Sequence, residues 1–201
     1  RVSVGLQVRP AEVVLEPGQR VVLSAQPLGP NGSHLGASIP GKALEAVVDP
    51  GSPVGVANGL IGARPDAPFW AGDVKIRVRD LAGLVKVRIV AKIPYEESFD
   101  GFVLRPHPGD RNARFTEAPA SWLGGNPAWE VRAHKDGNVL AKTIDAPLHQ
   151  RSMVFFGHPA QSDYDMEADV LSEGEGRNLS DVGLVHQRYV VALRGSWQQL
   201  E

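Results

Sequence analysis

The chain has 201 residues, with 21 Lys and Arg against 23 Asp and Glu for a formal charge of −2, and 42% of it is hydrophobic. That near balance argues against a dedicated nucleic-acid binder, and the apolar content excludes wholesale disorder. The sequence contains no cysteine, which excludes disulfides, thiolate metal sites and cysteine nucleophiles.

Gly and Pro together supply 38 residues, and Val is the commonest type at 25, so many turns and many strands are expected. No apolar run approaches the roughly 18 residues of a membrane span. The sequence begins at Arg1 rather than Met and stops just after a strand-like run. Both ends lead us to expect a piece of a longer chain whose last domain is unfinished.

Val2, Val4, Leu6 and Val8 alternate with polar or small residues, the period of a half-buried strand. Pro10 breaks the run, Val13 to Leu15 resumes it, and Pro17-Gly18 turns. Val21, Leu23 and Ala25 then form another alternating strand, ended by the turn Pro30-Asn31-Gly32. From Ser33 to Trp70 the pattern is weak, and short strands with long loops are expected. A hairpin follows: Val74, Ile76 and Val78, a turn over Asp80 to Gly83, then Val85, Val87, Ile89 and Ala91. Short strands at this spacing predict an antiparallel sandwich without the usual cysteine pair.

Val8-Arg9-Pro10, Glu16-Pro17-Gly18-Gln19 and the closing run Val85 to Val90 resemble bacterial immunoglobulin-like domains. The resemblance covers residues 1–95 and implies an immunoglobulin-like β-sandwich there. Near Pro94 the composition changes sign. Residues 1–95 carry 11 basic against 7 acidic side chains, and residues 96–201 carry 10 against 16. A second module is therefore expected over 96–201.

That second segment opens with a Pro-rich stretch from Val103 to Pro127. A hairpin comes next, Trp129 to Ala133 and Val139 to Thr143 about Asp136-Gly137, since Asp-Gly between alternating strands signals a turn. Met153 to Phe156 reads as a short strand. Asp163 to Val170 reads as a strand with Asp163, Asp165, Glu167 and Asp169 on one face. A long strand is expected from Val182 to Arg194, with Val185, Tyr189, Val191 and Leu193 inward and His186, Arg188 and Arg194 outward. Matching apolar faces sets Asp165, Glu167 and Asp169 opposite His186 and Arg188.

Phe99-Asp100-Gly101, Asp136 to Lys142, Tyr164 to Val170 and Asp181 to Val185 resemble a concanavalin-A-like, laminin-G-type jelly roll. An immunoglobulin-like domain followed by this module is similar to the C-terminal region of planctomycete-type quinoprotein-like (PQQ-binding-like) β-propeller proteins. It is similar, more distantly, to the 3-keto-disaccharide hydrolase family. The resemblance implies a partial jelly roll over 96–201 with its later strands absent, and hence an unpaired sheet edge.

The acidic row admits two readings: a polar patch that accepts sugar hydroxyls, with His186 or Arg188 donating, or a salt-bridged outer face in solvent. A structural calcium is a third, since carboxylates are its natural ligands, although no EF-hand spacing occurs. Trp122, in a loop, and Trp197, near a strand end, are candidates for stacking on a sugar ring. Trp129, in phase with Val131, reads as core, and Trp70 as a plug of the first domain. Lys75, Arg77, Arg79, Lys86, Arg88 and Lys92 form a basic stripe, read as a solvated sheet face or a surface that docks the acidic segment. It lacks the aromatic interleaving of a nucleic-acid groove.

No hydrolase elbow, zinc-protease motif or phosphate loop occurs, and no catalytic residue is assigned. The expectation is an all-β, extracytoplasmic, non-catalytic accessory region, immunoglobulin-like sandwich plus partial jelly roll. It would bind a polysaccharide or oligosaccharide or contact neighbouring domains, with no nucleic acid and no membrane span. A glycoside-processing hydrolase and a structural spacer are the alternatives.

Overall fold

The computed structural model describes residues 3–144, 152–172, 179–186, 189–197 and 199–201. Among these residues the chain is all-β, interrupted by a single 3₁₀ turn at Gly41–Ala43. By compactness it divides into two units, Arg1–Gln161 and Ser162–Glu201. The change of charge sign near residue 95 falls within the first.

The first unit is built on a sandwich. The opening strand β1 (Gly5–Arg9) runs antiparallel to β4 (Ser24–Leu28), and β4 also pairs β5 (Ile39–Pro40). Pro10 has no N–H to continue a ladder, and after it the chain changes sheet. β2 (Glu12–Leu15) pairs parallel to β10 (Leu81–Ile89), with Glu12 opposite Lys86 and Leu15 opposite Ile89. β10 forms the long hairpin with β9 (Trp70–Val78), and β6 (Glu45–Val47) closes that four-stranded sheet. β3 (Arg20–Val22) pairs β8 (Leu60–Ala63), which pairs β7 (Val54–Ala57).

Inward residues of all these strands share one core. Leu6, Val8, Val13, Leu15, Leu23, Ala25, Ile61, Val74, Ile76, Val85, Val87 and Ile89 are all buried. Burying each such Val, Leu or Ile contributes roughly 1.5–3 kcal/mol. Trp70 packs against this core, in line with its reading as a plug.

The stretch between Ser33 and Trp70 holds order that its composition hides. Asn58 (φ 52°) and Gly59 (φ 81°) form a two-residue turn between β7 and β8, both in the left-handed region that Asn and Gly enter most readily. Gly59 lies back to back with Gly41. A Cβ on Gly41 would come within 2.3 Å of the Leu23 carbonyl oxygen and 2.8 Å of the Gly59 Cα. The Leu23 N–H donates to the Gly59 carbonyl at 2.8 Å, so the pinch joins three segments.

Residues 105–142 form an antiparallel meander of β11 (Arg105–His107), β12 (Asp110–Glu117), β13 (Trp129–His134) and β14 (Gly137–Lys142). The expected hairpin is present, with His134 opposite Gly137 and only Lys135-Asp136 between them. Trp129 is half-buried and Val131 is fully buried. Asp100 ties this hairpin to the segment before it: its Oδ1 accepts the Asn138 N–H at 2.9 Å. The Asn138 side-chain amide in turn donates to the Phe99 carbonyl at 3.0 Å. Met153 to Phe156, read as a strand, contributes only a bridge between Phe155 and Leu123.

Hydrogen bonds also join the segments after residue 95 to the sandwich. The Arg88 guanidinium donates to the Ala120 carbonyl at 2.9 Å. The Gln161 amide donates to Glu16 and to the Ala91 carbonyl, both at 3.1 Å.

The second unit contains a meander of β15 (Val182–His186), β16 (Tyr189–Arg194) and β17 (Gln199–Leu200). The long strand expected from Val182 to Arg194 is thus two strands, paired with His186 opposite Tyr189. Asp163 to Val170, expected as a strand, forms no ladder. None of the described residues of this unit is buried.

Candidate functional site

Trp122 lies in the first unit, where the loop at Ser121 to Gly125 meets an aromatic cluster. Its ring stacks on Phe156 with centroids 4.6 Å apart and planes 25° from parallel. Phe99 meets it edge-on at 5.7 Å, and the Trp122 side chain also hydrogen-bonds Tyr95. One indole face is therefore taken up by the protein. Tyr95 extends the cluster to Phe69, 5.3 Å away and perpendicular. A void of about 10 Å³ is left among Phe69, Val90, Tyr95 and Trp122, room for roughly one water.

The Tyr95 hydroxyl donates to Glu97 Oε2 at 2.9 Å. Burial, followed by that bond and the Glu97 charge, pushes the phenol well above its ordinary range, and the bond to Trp122 offsets part of the rise.

The remaining candidates belong to the second unit. Asp163, Asp165, Glu167 and Asp169 are all exposed, while Tyr164 and Met166 between them are half-buried. The alternation survives there as exposure without a strand partner. The expected register is not formed: β15 pairs β16, so Asp165, Glu167 and Asp169 have no ladder opposite His186. Instead Tyr164 sets its ring edge against His186 at 5.0 Å. Arg188 lies outside the described residues.

Trp197 follows β16 in a turn, its N–H donating to the Arg194 carbonyl at 3.2 Å. It is 70% exposed. Arg194 anchors the turn through ion pairs with Asp181 at 2.9 Å and Glu201 at 2.7 Å.

Tyr189 was read as an inward residue and is 73% exposed. Val191 and Leu193, expected inward with it, are also exposed, as is Val190 on the opposite face. A single strand would set His186 and Tyr189 on opposite faces, whereas paired residues of a hairpin share one. The reversal puts His186, Tyr189, Val191 and Leu193 on the same side.

Among the described residues no group of three or more His, Asp or Glu is placed to hold a metal ion. Calcium takes six to eight oxygens, and the solvent-exposed acidic row does not assemble such a set. No helix among the described residues is long and apolar enough to cross a membrane.

The basic stripe lies on the outer face of the sheet β2–β10–β9–β6, and its charges divide into two groups. Arg88 pairs with Glu12 at 3.1 Å. Lys86 has Glu12 and Asp73 as its two cross-strand neighbours. Lys75 instead stands between Leu84 and Val47, and Arg77 between Ala82 and Glu45.

No protein-family model and no curated protein matches this sequence. Among solved structures it is similar to the crystal structure of the S-layer protein rSbsC(31-844), at 11% identity and a TM-score of 0.33. The match covers 70% of this chain and 17% of that one. The chain therefore spans about a sixth of the structure it matches, and a similarity of that size carries no functional argument.

Proposed function

We propose that the chain is a non-catalytic accessory region of a larger extracytoplasmic protein that holds carbohydrate on its second half. In this reading residues 1–95 form an immunoglobulin-like module and residues 96–201 the first part of a laminin-G-type jelly roll. The layers sharing one core, and the opening strands β1 and β2 that join different sheets on either side of Pro10, support the first assignment.

The observation that carries the binding reading is the pair of exposed rings at the two ends of β16, Tyr189 at 73% and Trp197 at 70% exposure. Exposed rings of this kind stack on the apolar face of a pyranose. β16 advances about 3.3 Å per residue, so a ligand touching both rings spans roughly 17 Å or more. That length fits an oligosaccharide of several units and not a single sugar. Asp165, Glu167 and Asp169 are available to accept its hydroxyls.

Titration calorimetry of the full chain with neutral gluco-, xylo- and manno-oligosaccharides tests this. Binding is expected for at least one, weakened about tenfold by Trp197→Ala and by Tyr189→Ala. Absence of binding to the whole panel refutes the reading and leaves the spacer. Release of shorter sugars refutes the non-catalytic half and points to the hydrolase.

A further inference from the structure

The tip of the β9–β10 hairpin carries a second, independent feature. Lys75, Arg77 and Arg79 line, with Asp80, Leu81 and Ala82, an open hollow of about 330 Å³. All three basic side chains are exposed. None has a carboxylate within 4.0 Å among the described residues, unlike Arg88 of the same stripe, and Lys86 and Lys92 likewise form no ion pair there. Asp80 also remains without an ion pair there, and Glu45, opposite Arg77 in the ladder, does not reach it.

Two physical costs converge on this tip. Like charges two residues apart on one strand face repel, with a spacing of about 7 Å. Arg79 holds φ 51°, a left-handed conformation that Gly or Asn adopts cheaply and that costs a residue such as Arg roughly 1–2 kcal/mol. The position thus sustains backbone strain while carrying a third positive charge at the rim of the hollow.

We propose that this hollow is a binding site for an oligomeric oxyanion, a ligand with sulfate, phosphate or carboxylate groups repeated along a chain. Such a ligand neutralises all three cations at once and relieves their repulsion. The six lining residues include no aromatic ring, so bases have nothing to stack on and the recognised chemistry is the oxyanion alone. The site uses none of the residues invoked for neutral sugars, so either reading can fail without the other.

The test is titration of the full chain with inorganic tripolyphosphate, a heparin-derived octasaccharide and an oligogalacturonate, at about 50 and 200 mM salt. The three probes separate phosphate, sulfate and carboxylate as the group read. Binding by at least one is expected, falling steeply with salt as released counterions compete. The variant K75Q/R77Q/R79Q should weaken it tenfold or more. The charge-matched control K86Q/K92Q/K142Q should weaken it no more than about twofold.

Arg79→Gly separates folding from binding: it should raise the unfolding midpoint while lowering affinity several-fold. No binding of any probe by the wild-type chain, or equal weakening by the control triple, overturns the proposal. So does an Arg79→Gly protein that binds as tightly as the wild type.

Discussion

Gly41→Ala is expected to be among the most damaging single-methyl additions available in the sandwich. The new Cβ would stand 2.3 Å from the Leu23 carbonyl oxygen and 2.8 Å from both the Cα and the carbonyl oxygen of Gly59. Ordinary van der Waals contact begins near 3.4 Å, so about 1 Å must be found. All three neighbours are backbone atoms, which cannot rotate away. Overpacking of this kind costs about 1–3 kcal/mol.

The displacement also strains the 2.8 Å bond from the Leu23 N–H to the Gly59 carbonyl, beside a fully buried leucine. An unsatisfied buried group adds about 1–3 kcal/mol. The sum is about 2–6 kcal/mol, which at a urea slope of about 2 kcal/mol per molar lowers the midpoint by roughly 1–3 M.

Gly55→Ala is the matched control. It lies in β7 with nothing within 4 Å of its added Cβ, and should be neutral or more stable by up to about 1 kcal/mol. Urea unfolding followed by tryptophan fluorescence in a Trp197→Phe background reports only Trp70, Trp122 and Trp129, all in the first unit. A Gly41→Ala midpoint indistinguishable from that of Gly55→Ala would refute the account of the pinch.

Tyr95→Phe tests the aromatic cluster through pH. The folded state raises the Tyr95 pKa above its unfolded value near 10. The group therefore stabilises the fold fully below about pH 10, and that contribution is lost as pH rises toward the folded value. Wild type should lose stability in that alkaline range, and Tyr95→Phe should lose less, as read by thermal unfolding across pH. Asn138→Ala removes donors to the Phe99 and Phe102 carbonyls and should lower stability by about 1 kcal/mol, measured by denaturant unfolding. Ile76→Val, at a fully buried site of β9, should cost about 0.5–1.5 kcal/mol in the same assay.

The sandwich was legible wherever burial on one face imposed period two. Leu6, Val8, Val13, Leu15, Val74, Ile76, Val85, Val87 and Ile89 were all read as inward and all are buried. The Asn58-Gly59 hairpin carried a strong turn signal, but its flanking strands are too short to show an alternation, so it escaped notice. Asp163 to Val170 fails in the opposite sense. Alternation says which residues would share a face if a neighbour existed, and four carboxylates in a row make such a neighbour costly unless basic groups meet them.

The exposed rings at Tyr189 and Trp197 were half legible. Trp197 stands out as a ring near a strand end, whereas Tyr189 reads as inward although both faces of β16 carry exposed apolar residues. The basic stripe was visible from the sequence as six alternating cations. Which of them has an acidic cross-strand neighbour depends on the ladder register, which joins residues distant in sequence.

The parallel seam between β2 and β10 also sets how the sandwich would bear mechanical load. Tension that draws residue 3 backward and residue 92 forward slides these two strands past each other along their length. The bonds from Lys86 N–H to the Ala11 carbonyl and from Val90 N–H to the Leu15 carbonyl, each 2.9 Å, are then sheared together. They cannot be unzipped one after another. A tether passing through this module would yield abruptly at a high force, whereas the antiparallel hairpin of β13 and β14, pulled at its open end, would peel gradually.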